Sequence, residues 1–93
     1  MKLKGLKEIT VLGMKHTITY FESNCRTDDN MGRSDTKMGQ ITLCKGMPQD
    51  IEEQTLLHEI IHVIDGNLST NMSEKQVTAI SAGLYAVIKE NKL

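Results

Sequence analysis

Residues 54–65 read Gln-Thr-Leu-Leu-His-Glu-Ile-Ile-His-Val-Ile-Asp, and this stretch decides the fold. Its apolar residues point in most directions around a helix, which predicts burial on several sides: Leu56, Leu57, Ile60, Ile61, Val63 and Ile64. Its polar residues fall on one narrow stripe: Thr55, His58, Glu59, His62 and Asp65. We expect the helix to begin at about Gln49 or Asp50 and to end at Asp65, with Gly66 as its C-terminal stop.

The polar stripe contains the motif HExxH, formed by His58, Glu59 and His62. The two histidines lie one helical turn, about 6 Å, apart on the same face, so both imidazoles can reach one tetrahedral Zn²⁺. Glu59 lies at the edge of that face and can reach a metal-bound water without binding the metal, as a general base must. The alternative is a pair of surface histidines around an ordinary helix glutamate. The apolar flanks disfavour it, because burying unpaired imidazole and carboxylate groups costs several kcal/mol.

Two histidines leave a catalytic zinc site one protein ligand short. Glu74 is the favoured third ligand, because it opens the next predicted helix, and an antiparallel helix pair would bring it back toward His62. An acid in a first helical turn is also favoured by the helix dipole without any metal. Asp65 is the next candidate, although it equally suits a role in orienting an imidazole or in ending the helix. His16, alone in a predicted strand, ranks third.

The N-terminal half of the chain has the residue pattern of a small sheet. Three strands are predicted, at Ile9–Leu12, His16–Phe21 and Gln40–Cys44. The second alternates through β-branched and aromatic residues, and the first and third end before glycine or proline. The short link between the first two predicts a hairpin. Residues 23–37 are polar and are predicted to form a loop long enough to be functional.

The C-terminal half predicts a second helix, which runs from a cap at Ser73 to about Glu90. Gln76 stands three residues after Ser73 and completes a capping box. Apolar residues keep helical spacing along it: Val77, Ile80, Leu84, Val87 and Ile88. The predicted fold class is therefore α+β, in one domain over residues 1–93. It has a small antiparallel or mixed three-stranded sheet, followed by the HExxH helix and a C-terminal helix.

Composition and charge exclude several classes of function. The 93 residues are 39% apolar and 25% charged, as in an ordinary globular domain, with a net charge of −1 that argues against binding to nucleic acid. No apolar run approaches the length of a membrane span, and no signal peptide pattern opens the chain. We therefore expect a cytoplasmic protein that binds no membrane, with Cys25 and Cys44 as two reduced thiols and a single disulfide as the less favoured alternative.

Residues 55–62, with Ser73–Val77 and Gly83–Tyr85, resemble a known group of proteins. They are similar to the small HExxH metallopeptidase-like proteins of phages and mobile elements, which are minimal gluzincins related to the ImmA/IrrE-type metallopeptidases. The resemblance covers about residues 38–91. It implies a small sheet packed on an active-site helix and a following helix. It also implies zinc held by His58, His62 and Glu74, with Glu59 as the catalytic base.

The leading hypothesis is a zinc-dependent peptidase, encoded by a phage or mobile element, that hydrolyses peptide bonds of a protein substrate. Tyr85 and His16 are the candidates for a second electrophile, and the strand Gln40–Cys44 is a candidate edge strand for an extended peptide. A chain this short has little surface for substrate subsites. A second copy of the chain, or a host or phage protein, is therefore expected to supply part of the specificity.

Two other classes of function compete with the peptidase hypothesis. One is a catalytically inactive zinc-binding protein that has an interaction or regulatory role in a phage or prophage. Glu59 favours the enzyme over this class, since a structural zinc site has no use for a carboxylate beside its water. The other class is an interaction module without metal, which would need a solvated His-Glu-His stripe on a helix whose flanks are apolar.

Overall fold

A computed structural model of the chain describes residues 3, 5–22 and 31–93. It has six elements in chain order: β1 (Glu8–Val11), β2 (Met14–Phe21), β3 (Gly32–Asp35), β4 (Gln40–Cys44), α1 (Gln49–Leu68) and α2 (Glu74–Glu90). The predicted α+β class is thus confirmed. Within the described ranges, no helix is both long enough and apolar enough to cross a membrane.

The four strands form one mixed sheet in the order β1-β2-β4-β3. β1 and β2 make the predicted hairpin, whose turn residues Leu12 and Gly13 both have positive φ, at 50° and 82°. β2 pairs in parallel with β4, and β3 pairs antiparallel with β4. Two predictions are therefore wrong: the sheet has four strands, not three, and β4 lies inside the sheet, so it is not an edge strand.

The additional strand, β3, lies within the stretch that was predicted to be a loop. Its sequence Gly-Arg-Ser-Asp contains no β-branched or aromatic residue and shows no apolar alternation, so local propensity does not indicate a strand. Pairing with β4 makes it one: Gly32 stands opposite Leu43, and Ser34 stands opposite Ile41. The remainder of that predicted loop, residues 23–30, lies outside the described residues.

One face of the sheet packs on α1. The core between them contains Ile18, Ile41 and Leu43 from the sheet, with Leu56 and Val63 from the helix. A second cluster joins α1 to α2 and contains Leu57, Ile61, Val77, Tyr85 and Ile88. The predicted burial of α1 on several sides is confirmed, since the helix packs against both layers.

β3 approaches α1 closely at Gly32. A Cβ atom at this position would lie 2.9 Å from Thr55 Cγ2 and 3.2 Å from Glu59 Cγ. Only glycine therefore lets the strand backbone reach the polar stripe of the helix. This contact places the edge of the sheet directly beside the HExxH motif.

The α1–α2 connection differs slightly from its prediction. α1 continues through Gly66 to Leu68 and ends at Ser69, which has a left-handed conformation and donates its N–H to the Asp65 carbonyl. The Asp65 carboxylate accepts hydrogen bonds from the Thr70 hydroxyl and the Met72 N–H. The helix end is thus tied to the connection by Asp65, and Gly66 does not stop the helix.

The start of α2 is as predicted. The Ser73 hydroxyl accepts a hydrogen bond from the Gln76 N–H at 3.1 Å, and the Gln76 side chain accepts one from the Ser73 N–H at 2.8 Å. This capping box fixes the direction in which the first turn of α2 enters the fold.

The cysteine expectation is wrong for Cys44. This residue is fully buried in the core at the end of β4 and is disulfide-bonded. Cys25, the other residue of that expectation, lies outside the described residues.

Candidate metal centre

Three side chains from two helices converge at the start of α2. His58 Nε2 lies 2.7 Å from Glu74 Oε1, and His62 Nε2 lies 2.9 Å from Glu74 Oε2. The two Nε2 atoms are 3.1 Å apart. Three side chains with potential ligand atoms, two from α1 and one from α2, thus face one another.

Local structure explains this convergence. His58 and His62 are one turn apart on α1, so their rings stand side by side, with centroids 4.8 Å apart. The Asp65 carboxylate fixes the α1–α2 connection, and the Ser73 cap starts α2 directly after it. Glu74, in the first turn of α2, is therefore held opposite the two imidazoles.

The donor set fits a metal ion. Two ligand atoms bound at 2.0–2.1 Å to a tetrahedral ion stand about 3.3–3.4 Å apart. With one ligand atom taken from each of the three residues, these atoms lie within 4.8 Å of one another, so a small adjustment of the side chains brings them to that spacing. His58, His62 and Glu74 can therefore hold a metal ion. Both histidines are partly buried and Glu74 is exposed, so the group is open to solvent on the Glu74 side.

Glu59 lies beside this group but is not one of its three ligands. It is only 6% exposed, under β3, and the Ser34 hydroxyl donates a hydrogen bond to its carboxylate. Burial raises the pKa of Glu59, and this effect outweighs the opposing influence of His58, His62 and the Ser34 hydrogen bond. A buried carboxylate of raised pKa beside a candidate metal centre is suited to accept and release a proton.

The three candidate ligands, His58, His62 and Glu74, line a cleft of about 1010 Å³ between β3 and the two helices. The walls are mixed: Met31 and Ile51 are apolar, whereas Gln54, Thr78 and Ser81 are polar. A cleft of this size admits a side chain or a short peptide segment beside the metal ligands.

The edge of the cleft is the free side of β3. The Cys44 N–H donates to the Met31 carbonyl at 2.8 Å, and in an antiparallel pair the residues that hydrogen-bond to the neighbouring strand alternate. Arg33 and Asp35 therefore pair with β4. The N–H and C=O groups of Gly32 and Ser34 point away from β4, along the free edge of the sheet.

Three other candidates from the sequence do not join the group. Asp65 is bound to Thr70 and Met72, as described above, so it serves the helix end. His16 is fully buried in the sheet; its Nδ1 lies 3.0 Å from the Met14 carbonyl, and its Nε2 has no hydrogen-bond partner in the described part of the chain. It does not line the cleft.

Tyr85 is also remote from the metal ligands. It is 8% exposed, and its hydroxyl lies 2.9 Å from Glu53 Oε1 and 3.1 Å from Asp50 Oδ1, near the start of α1. Burial and these two carboxylates raise the pKa of Tyr85. The residue therefore ties α2 to α1 and does not line the cleft.

Two residues that shape the site could not be predicted from the sequence. Gly32 and Ser34 lie in a stretch that resembles a loop, and only the pairing of β3 with β4 brings them to Glu59. Thr78 and Ser81 were easier to anticipate, because they follow Glu74 at i+4 and i+7 on one helix face.

Comparison with protein-family models, with curated proteins and with solved structures gives no match for this chain.

Proposed function

We propose that this protein is a zinc-dependent peptidase in which His58, His62 and Glu74 hold the zinc ion and Glu59 is the general base. One observation carries the proposal: the side chains of His58, His62 and Glu74 bring three ligand atoms within 4.8 Å of one another, beside a buried carboxylate, in an open cleft. Two imidazoles and a carboxylate are also the ligand types of hydrolytic zinc sites. The proposal includes the origin that the sequence resemblance implies, a phage or mobile element.

Zinc, when bound, supplies Lewis-acid chemistry: it polarises a carbonyl group and makes water acidic near pH 7. The protein supplies the rest. Glu59 takes the proton from the attacking water and passes it to the amine that leaves. The Ser34 hydrogen bond holds the Glu59 carboxylate in one orientation, and burial under β3 keeps its pKa closer to neutrality than that of an exposed glutamate.

An extended peptide is the substrate that fits the edge of the cleft. The outward N–H and C=O groups of Gly32 and Ser34 can pair with the backbone of a peptide that adds a strand to the sheet. Such a peptide would pass over the side of α1 that carries His58 and Glu59. Backbone pairing accepts many sequences, so side-chain specificity is left to the cleft walls around Ile51 and Ser81.

The second candidate function is a catalytically inactive zinc-binding protein with a regulatory role. It is favoured by one observation: neither Tyr85 nor His16, the residues expected to act as second electrophile, lines the cleft. In this alternative the ion would stabilise the α1–α2 junction, and the cleft would bind a partner without hydrolysis.

Metal content and hydrolysis together test the proposal. The wild type is expected to bind about one zinc per chain by mass spectrometry under native conditions, and to cleave members of a random peptide library. Glu59→Gln should retain the zinc and lose cleavage. His58→Ala should lose both, while Glu90→Gln is a matched control on a distant glutamate.

The outcomes separate the two candidates. Zinc binding without cleavage of any library peptide would favour the inactive zinc-binding protein. A wild type that holds no zinc after incubation with the metal would contradict both. Cleavage by Glu59→Gln at the wild-type rate would exclude the general-base role.

A further inference from the structure

α2 carries an apolar face that nothing in the described chain covers. Ile80, Leu84 and Val87 are 49%, 44% and 48% exposed. Their spacing of i, i+4 and i+7 places them in one line on the helix, with Gly83 beside Leu84. We call these four residues the α2 outer face. Its three large residues belong to the apolar residues that keep helical spacing in the sequence, but only Val77 and Ile88 of that pattern are buried.

The α2 outer face is separate from the candidate metal centre. At 100° per residue, Glu74 and Thr78 lie on one flank of α2, Val77 and Ile88 face α1, and Ile80 and Leu84 lie toward the other flank. A partner bound to the outer face would therefore leave the cleft open.

Gly83 gives a second indication that another backbone approaches here. Glycine weakens a helix interior relative to alanine, and a Cβ at this position would meet no atom within 4 Å. Packing among the described residues therefore does not require glycine. A close approach by another helix does require a small residue, because a side chain of that helix needs room beside the α2 backbone.

The charges around the face restrict the occupant. No charged residue lies between Lys75 and Lys89 in the sequence, so the face offers nothing to a nucleic acid. A helix that lies on an anionic membrane needs a polar face rich in lysine or arginine, which α2 lacks. An uncharged apolar helix face is the appropriate partner.

We propose that the occupant is a second copy of this chain, which packs its α2 antiparallel against the first across a two-fold axis between Gly83 and Leu84. In this register, residue i faces residue 167 − i of the second copy. Leu84 then enters the space over Gly83 of the second copy, and Ile80 meets Val87 of the second copy. The face is thus self-complementary, as a two-fold interface must be.

The area of the α2 outer face limits the affinity of the dimer. Stable interfaces bury about 800 Å² per partner, and one short helix face is smaller than that. The dimer is therefore reversible, and its population depends on protein concentration. The dimer forms without the metal, so a failure of the dimer would not contradict the peptidase proposal, and a failure of the peptidase proposal would not contradict the dimer.

Sedimentation equilibrium from about 10 µM to 1 mM tests the inference. The average mass of the wild type should rise above the 10.4 kDa of one chain as concentration increases. Leu84→Glu should remain at the monomer mass. Met38→Glu is the matched control, because Met38 is 69% exposed outside this face, and it should associate like the wild type.

Gly83→Leu distinguishes the proposed register from unspecific hydrophobic association. The open space around Gly83 allows this variant to fold, which circular dichroism checks. The added side chain fills the site of Leu84 of the second copy, so the dissociation constant of the dimer should rise at least tenfold. Stronger association would overturn the register. A wild type that remains monomeric throughout, including one that instead binds lipid vesicles, would overturn the dimer.

Discussion

Glu74 and His58 lie 2.7 Å apart, although sixteen positions separate them in the sequence. Both belong to solvent-accessible helix surfaces, and the Glu74 side chain is 68% exposed. An exposed glutamate gains little from a histidine contact alone. In the observed orientation each carboxylate oxygen contacts a different imidazole, so the three side chains are close enough to share one cation.

Replacement of Glu74 by glutamine should therefore weaken zinc binding. Even residues that only orient ligands contribute roughly 10–100-fold to metal affinity, so loss of a direct ligand should cost at least tenfold. With zinc in excess, each tenfold loss lowers the stability of the folded state by about 1.4 kcal/mol. Isothermal titration and thermal unfolding, each with and without zinc, measure the two effects. Equal zinc affinity in Glu74→Gln and the wild type would remove Glu74 from the site.

The close contact of β3 with α1 leads to a second prediction. Gly32→Ala introduces a Cβ that would lie 2.9 Å from Thr55 Cγ2, so strand and helix must separate. Overpacking of this kind costs about 1–3 kcal/mol. The free energy of unfolding in urea should fall by this amount, and any hydrolysis should fall with it because Ser34 moves away from Glu59.

A double variant isolates the cause of that loss. Thr55→Ser removes the Cγ2 methyl group that the new Cβ would strike. Gly32→Ala with Thr55→Ser should recover part of the lost stability, with a coupling of about 0.5 kcal/mol or more. Gly83→Ala, measured at a protein concentration at which the chain is monomeric, is the control for a helix glycine whose added Cβ meets no atom within 4 Å, and it should be stabilising. Additive effects in the double variant would show that Thr55 is not the obstacle.

The sequence predicted those parts of the fold that depend on local patterns. The HExxH stripe, the hairpin and the Ser73 capping box all follow from spacing within a few residues, and the structure has each of them. Glu74 is predicted from its place at the start of the second helix, and the structure has it beside both histidines. β3 was missed because its strand conformation comes from pairing with β4, not from its own residues.

The exposure of the α2 outer face was missed for a related reason. Helical spacing indicates that Ile80, Leu84 and Val87 share a line, but it does not say whether that line meets α1 or a partner. With a single α1 to pack against, α2 buries only the line through Val77, Tyr85 and Ile88. The number of neighbouring layers is a property of the whole fold, and a pattern within one helix cannot supply it.

His16 gives a prediction about stability. Its ring is fully buried, and Nε2 has no hydrogen-bond partner among the residues the structure describes. A buried polar atom without a partner costs about 1–3 kcal/mol. His16→Leu removes that cost and also the Nδ1 hydrogen bond to Met14, whose backbone lies near solvent. The free energy of unfolding should stay unchanged or rise by about 1 kcal/mol.

The same variant shows whether His16 has a role in the site. Zinc content of His16→Leu should equal that of the wild type, whereas His58→Leu should lose the metal. A large loss of stability in His16→Leu would indicate that Nε2 has a partner in solution. Loss of zinc without unfolding would place His16 at the metal centre and contradict the geometry described above.

Asp65 makes the fold sensitive to acid. The Thr70 hydroxyl and the Met72 N–H donate to its carboxylate and hold the pKa of Asp65 below its ordinary value of 3.8. A carboxyl whose pKa is lower in the folded than in the unfolded chain stabilises the fold at pH above the unfolded value. That contribution is lost as the pH falls through the folded value. Asp65→Asn, which cannot ionise, should therefore be less stable than the wild type at pH 7, and the difference should shrink below about pH 4.

Urea unfolding at pH 7 and pH 3, with a chelator present throughout, measures this difference without a contribution from metal binding. Asp35→Asn is the control, because the Asp35 carboxylate accepts one exposed hydrogen bond, from the Met38 N–H, within its own turn. A difference between Asp65→Asn and the wild type that persists unchanged at pH 3 would mean that the loss comes from amide geometry and not from charge. In that event the ionised carboxylate would not be what holds the α1–α2 connection, and Glu74 would be positioned by the Ser73 cap alone.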